Sequence, residues 1–364
     1  MKGKKLLWSI CCTLVFLAVL GVWERPISGL YFKGIVPLRL ALAGAESRSV
    51  TVAGLRVHYD VLGPASGPPV ILVHGLGGRA EEWLDLAHYL VKAGYRVYLP
   101  DLPGYGRSQK PTSFSYSVPD EAAIVVGFLD AVDLKQVDLG GISMGGWIVQ
   151  LIASEHPERV RRLMLFDSAG IHEQPSWDTR LFTPSTPAEV SQLNALLYPH
   201  PFPVPGFVAR DIVRLTDQNG WVIRRAVASM LAGRDASDDL LPQLKMPVLI
   251  VWGAEDRIMP LHEGEKMHSL VPQSQLEIFP DCGHLSPMQC ASQVGPKVVE
   301  FVKQQVARQE TLTGLEPSHD GLYFLLLLPR LDSLWFIRHQ AYLRNDSATH
   351  TGVSFRQTPL FSVG

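Results

Sequence analysis

A serine set between two glycines, Gly141-Ile142-Ser143-Met144-Gly145, constrains this chain more than any other stretch. A short, largely apolar run at 137–140 precedes it and another at 147–153 follows. That context is strand, sharp turn, helix. The G-x-S-x-G spacing suits a hydroxyl presented at the tip of such a turn. Side chains at 141 or 145 would collide where strand and helix approach, which is why both positions are glycine. The helix start leaves the Met144 N–H without an intrahelical acceptor, pointing towards a substrate oxygen.

A serine hydroxyl becomes a useful nucleophile when a histidine takes its proton and an acid orients that histidine. Downstream, the apolar run 248–252 ends in Gly253-Ala254-Glu255-Asp256-Arg257. Either carboxylate there stands at the C-terminal end of a strand. Asp256 lies further into the loop and is preferred as the acid; Glu255 reads as a solvated neighbour or salt-bridge partner. The last strand, 276–279, leads into Pro280-Asp281-Cys282-Gly283-His284. His284 can reach back over the sheet to Ser143, completing the order Ser, Asp, His. Asp167, at the end of the strand over 162–166, is the competing acid.

Upstream, 70–73 is a continuous apolar run, as a central parallel strand should be. It ends in His74-Gly75-Leu76-Gly77-Gly78, whose glycines allow an N–H to face a bound oxyanion. Leu76 is the first candidate donor, paired with the Met144 N–H, and Gly77 the second. One such donor is worth about 2.7–4 kcal/mol in the transition state. His74 precedes the serine in the chain and reads as shaping its loop. Asp101 and Ser108, in Pro100-Asp101-Leu102-Pro103-Gly104-Tyr105-Gly106-Arg107-Ser108, read as turn residues that hydrogen-bond backbone.

Strand and helix alternate from residue 47 to 170 and again from 248 to 306. Between 171 and 244 the alternation stops and prolines crowd among aromatic and apolar residues. This insertion reads as a cap over the site, suited to a greasy substrate.

The N-terminus has a different character. Lys2, Lys4 and Lys5 precede an uncharged run of 18 positions, 6 to 23. A spanning helix needs about 17–25 residues, and no A-x-A cleavage pattern follows the run. Residues 1–25 are read as an uncleaved single-pass membrane anchor; cleavage to a secreted or periplasmic form is the alternative. Residues 26–46 mix apolar side chains with Lys33 and Arg39, as a segment lying along a membrane or an ordinary linker packed on the domain would. Positive charges flank the run on both sides, so the side of the membrane stays open.

With 364 residues and a net charge of -2, nothing points to a nucleic-acid partner. The four cysteines are not spaced as a disulfide framework or a metal site. Cys282 and Cys290 are read as reduced, buried thiols, although a bridge between them is open. The tail 307–364 fits neither anchor nor domain.

Taken in order, H-G-L-G-G, D-L-P-G-Y-G-R-S, G-I-S-M-G-G, W-G-A-E-D and D-C-G-H make residues 50–306 resemble an α/β-hydrolase. The resemblance implies a mostly parallel eight-stranded sheet flanked by helices with an inserted cap, a Ser143–Asp256–His284 triad, and neither cofactor nor metal. The N-terminal run, S-A-G-I and F-T-P-S-T-P-A-E-V more narrowly resemble the membrane-bound monoacylglycerol lipases of the abhydrolase group, a pattern bacterial lipases and esterases share. What this implies is a serine carboxylic-ester hydrolase acting on a small lipid ester, held to a membrane by its N-terminus. Three alternatives stand beside it: a carbon–carbon bond hydrolase of the same fold, a cofactor-free peroxidase, and a non-catalytic binding module.

Overall fold

A computed structural model describes residues 27–232 and 236–313. The apolar run 6–23 and the tail beyond 313 therefore lie outside the described residues. Among those described, no helix is long and apolar enough to cross a membrane.

Eight strands form one sheet: β1 (Glu46–Val52), β2 (Leu55–Leu62), β3 (Pro69–Val73), β4 (Arg96–Pro100), β5 (Val137–Ile142), β6 (Val160–Phe166), β7 (Val248–Gly253) and β8 (Gln275–Phe279). Their spatial order is β1-β2-β4-β3-β5-β6-β7-β8. β2 pairs antiparallel with both β1 and β4, and every later pairing is parallel. The sequence dictates this division. β3 and β7 are continuous apolar runs and are buried on both faces, whereas most of β1 is exposed at the sheet edge. The chain leaves β3 for β4 on one side and returns through β5 on the other. A crevice opens where strand order reverses in this way, and the loops after β3 and β5 flank it.

Helices α2 (Leu84–Lys92), α3 (Val118–Ala131), α4 (Met144–Glu155), α7 (Leu261–Leu270) and α9 (Ala291–Thr313) flank the sheet, with the short α8 (Ser286–Gln289) leading into α9. Ser117 caps α3, its hydroxyl accepting from the Asp120 N–H, and Pro119 sits in the first turn. The closing helix α9 begins at Ala291 and runs on to Thr313, past residue 306 where the alternating pattern ends. Residues 307–310, Ala-Arg-Gln-Glu, are good helix formers that continue the turn.

Residues 27–42, ahead of β1, are helical, ending in α1 (Val36–Leu42). They are fastened to the domain. The Ser28 N–H donates to Asp211 at 2.7 Å, Arg39 pairs with Asp85 at 3.2 Å, and the Arg79 guanidinium lies 3.9 Å over the Phe32 ring. Leu38 and Leu42 stay exposed on the outer side.

The insertion between β6 and β7 holds α5 (Pro187–Leu197) and α6 (Gly206–Leu231). Leu197 and Tyr198 pack on Ile258, with Trp177, Phe182 and Phe202 around them, so much of the cap's apolar surface joins it to the loop after β7. Polar contacts repeat the attachment: Trp177 Nε1 donates to the Ile258 carbonyl at 3.0 Å and Arg257 to the Ala195 carbonyl at 2.9 Å.

Candidate active site

Ser143 occupies the turn between β5 and α4 with φ 52° and ψ -121°. A non-glycine residue with positive φ is uncommon, and a strained turn here presents the side chain clear of the sheet. The neighbours leave no alternative to glycine. A Cβ on Gly141 would strike the Gly145 backbone, and one on Gly145 would strike the Val73 and His74 carbonyls. The turn is held by the Ser143 N–H donating to Phe166 O at 3.1 Å, while Ser143 O accepts from Trp147 and Ala169.

The loop after β3 lies directly against this turn: a Cβ on Gly75 would sit 3.2 Å from that of Ser143. Leu76 follows it, and its N–H donates to no backbone carbonyl among the described residues. Met144 is the first residue of α4, so its N–H has no intrahelical acceptor. His74 is buried, and its Nε2 accepts from the Leu102 N–H at 3.0 Å. Its Nδ1 must then carry the proton, donated to the Gly75 carbonyl at 2.8 Å. Burial lowers its pKa, in keeping with a neutral ring that shapes the loop. Asp101 works the same way. It accepts from His58 Nδ1 and from the Ala80 and Arg107 N–H groups. Burial would push its carboxyl up, but those bonds hold it at about 2.

Because β5, β6, β7 and β8 run parallel, their C-terminal loops emerge on one edge. The loops after β7 and β8 bring Asp256 and His284 together: Nδ1 of His284 lies 2.8 Å from Asp256 Oδ2. The other carboxylate oxygen accepts the Ile258 and Met259 N–H groups at 2.8 and 2.9 Å, which fixes the acid. Glu255 instead is exposed and approaches Arg257 at 4.0 Å. Burial opposes a charge on His284, but the Asp256 carboxylate outweighs it and raises the imidazole above its ordinary value. A Ser143 Oγ–His284 bond is not among those formed by the described residues; such bonds are often long before substrate arrives.

Asp167, at the end of β6 with φ 41°, is fully buried. Oδ1 accepts the Gly253 N–H at 2.8 Å and Oδ2 the Ser286 N–H at 2.9 Å. It therefore ties the loop carrying Asp256 to the loop carrying His284. Burial and the nearby Asp256 charge push its carboxyl up to about 8.

One reading of the cysteines is corrected. Cys282 and Cys290 are joined by a disulfide with Cα atoms 6.3 Å apart. The turn after β8 and the short α8 fold back on each other, bringing positions eight apart within bridging distance. The ring so closed contains His284.

A cavity of about 70 Å³, partly open to solvent, adjoins these loops; Trp147, Ala169, Ile258 and Glu263 are among its lining residues. Sequence reading missed Glu263, which sits in a helical turn with no motif around it. Among the described residues, no cluster of three or more His, Cys, Asp or Glu is arranged to hold a metal ion.

The description of the alpha/beta hydrolase fold matches residues 68–183 and 231–289. A 2-hydroxy-6-oxononadienedioate/2-hydroxy-6-oxononatrienedioate hydrolase of Escherichia coli O81 (strain ED1a) is 30% identical over 270 residues, 68% of this chain and 91% of that one. The chain belongs to the α/β-hydrolase family. Lipase 1 of Psychrobacter immobilis is 26% identical over 70% of this α/β-hydrolase and 84% of its own length. The crystal structure of a bacterial membrane phospholipase A superposes with a TM-score of 0.70 at 26% identity, covering 83% of this hydrolase and 98% of that chain. Relatives of this hydrolase thus divide between ester bonds and carbon–carbon bonds.

Proposed function

We propose that this α/β-hydrolase is a serine carboxylic-ester hydrolase that acts on single-acyl lipid esters of the monoacylglycerol type at a membrane surface. The observation that carries the reading is the 2.8 Å Asp256–His284 contact on the same sheet edge as the strained Ser143 turn. In this reading His284 takes the Ser143 proton as the hydroxyl attacks the ester carbonyl. Asp256 holds the imidazole tautomer and stabilises the imidazolium. The Leu76 and Met144 N–H groups receive the oxyanion. The tetrahedral intermediate expels the alkoxide, which leaves as alcohol with the proton from His284. Water, deprotonated by the same imidazole, then frees the acyl group and restores Ser143.

The lipid class is supported by the apolar cap, by the apolar N-terminal run, and by the likeness to a lipase and a membrane phospholipase A. The domain is assigned to the oxidising side of the membrane. A disulfide persists there and is rare in the cytosol.

A second reading, carbon–carbon bond hydrolysis, is favoured by the 30% identity to the dienedioate hydrolase. Parallel kcat/KM measurements on a long-chain monoacylglycerol and on a 2-hydroxy-6-oxo dienoate decide between them. Turnover of the dienoate with none of the glycerol ester would replace the first reading by the second.

A further inference from the structure

The cavity against the loop that carries Asp256 is not explained by proton transfer alone. Its walls are the site's own loops. Trp147 stands one helical turn after Ser143, and the Ala169 N–H donates to Ser143 O at 3.1 Å. Ile258 and Met259, also in the wall, give their N–H groups to Asp256. Met230, at the end of the cap helix α6, lines the cavity as well. Apolar residues make up most of these walls; His172, Glu173 and Gln174 also line them, as does Glu263, from the first turn of α7.

Glu263 is 6% exposed, yet its carboxyl makes no hydrogen bond among the described residues. Its oxygens still reach water at the cavity, so a ligand that covers them without offering a hydroxyl leaves a buried carboxyl unpaired, at a cost in free energy. A ligand that brings a hydroxyl takes the place of that water. Burial, with the Glu173 charge behind it, pushes this carboxyl up to about 7, so it can both accept and donate near neutrality.

We propose that this cavity is the subsite for the leaving alcohol, and that Glu263 selects alcohols carrying further free hydroxyls, as a glycerol moiety does. The proposal rests on the ester-hydrolase reading. The leaving alkoxide must lie beside the histidine that protonates it, and this cavity borders the loop of the acid that holds His284. A site built to hydrogen-bond a hydroxyl discriminates strongly against analogues that lack it, because its buried polar group is then left unpaired. Glu263 takes no part in the bond changes: the ester C–O bond breaks and the proton comes from His284, whatever group fills the subsite.

The test compares a glycerol monoester with the methyl ester of the same acyl chain, in wild type, Glu263→Gln and Glu263→Leu. Glu263 also acts on His284 through its charge, but that influence changes both esters alike. The ratio of the two kcat/KM values isolates the subsite. It should fall about tenfold or more in Glu263→Leu, mainly through KM for the glycerol ester, and by less in Glu263→Gln, whose amide still donates and accepts. Glu263→Gln is near-isosteric and keeps the measurement available if the leucine variant does not fold. An unchanged ratio in a folded variant, with wild type active on both esters, overturns the subsite and leaves the ester reading intact. Wild type inactive on both esters overturns the two together.

Discussion

The carboxyl of Asp167 accepts the N–H of Ser286 at 2.9 Å, two residues beyond the histidine that Asp256 holds. Through its other oxygen it grips Gly253, at the end of the strand that leads to Asp256. Burial, and after it the neighbouring Asp256 charge, push the Asp167 carboxyl well above its ordinary value, while both of its oxygens stay engaged with backbone N–H groups.

Substitution at the two acids should therefore separate. Asp256→Asn is expected to cut kcat by about 10⁴, as loss of an orienting acid does elsewhere, with the fold preserved. Asp167→Asn keeps one acceptor oxygen and loses about one of its two hydrogen bonds. It should lower Tm by a few degrees and cost far less rate. Inactivation by Asp167→Asn with a functional Asp256→Asn would exchange their roles.

Ser143→Ala should abolish labelling by a fluorophosphonate probe while circular dichroism stays unchanged. Labelling of the variant at the wild-type rate would remove Ser143 from the nucleophile's role.

The pH profile has a defined direction. His284 works as a base only when neutral, so kcat/KM should rise with pH through a limb whose apparent pKa exceeds 6.5, since the imidazole is raised. In Asp256→Asn the residual activity should show that limb moved to lower pH, because the carboxylate that raised it is gone. A wild-type limb below 6.5 would contradict the geometry.

Glu121 offers a stability test away from the site. It is 1% exposed, and both carboxyl oxygens lack partners among the described residues. Burial, and then the Asp120 charge, push its pKa well above 4.5. A folded-state pKa raised in this way favours folding fully only below 4.5, and that contribution is lost as pH rises towards the folded value. Glu121→Met should raise Tm, by about 2–4 °C for each kcal/mol recovered, and the gain should grow from pH 5 to pH 8. A gain independent of pH would mean that the carboxyl is not the cause.

The N-terminal region divides into two parts with separable effects. A chain beginning at Ile27 keeps the Ser28–Asp211 and Arg39–Asp85 contacts; one beginning at Glu46 loses both. The first should retain its Tm and its rate on soluble esters, but lose much of its rate on long-chain monoacylglycerol in vesicles. The second should also lose a few degrees of Tm. Undiminished vesicle rates in both would detach the apolar run from substrate choice.

What was legible in the sequence was what steric exclusion or strand periodicity writes locally. Gly141 and Gly145 announce the elbow because any side chain would strike backbone, and the apolar runs at β3 and β7 announce buried parallel strands. Long-range pairing leaves no such mark. Asp167 could be read as a strand-end acid, but its grip on residues 86 and 119 positions away depends on tertiary approach. Glu263 is one of two acidic residues in an ordinary helix. The Cys282–Cys290 bridge was misread because composition counts cysteines, while bridging depends on how one turn folds back.

That bridge has a practical consequence. It closes a ring around His284, spanning eight positions, and leaves the sheet untouched. Cutting it would free the base before it loosened the core. A reduced sample should melt close to the oxidised one and still turn over slowly. Thiol reductants in a storage buffer would then give a protein that passes every folding check and is scored as a poor enzyme, and brief re-oxidation before assay is the remedy.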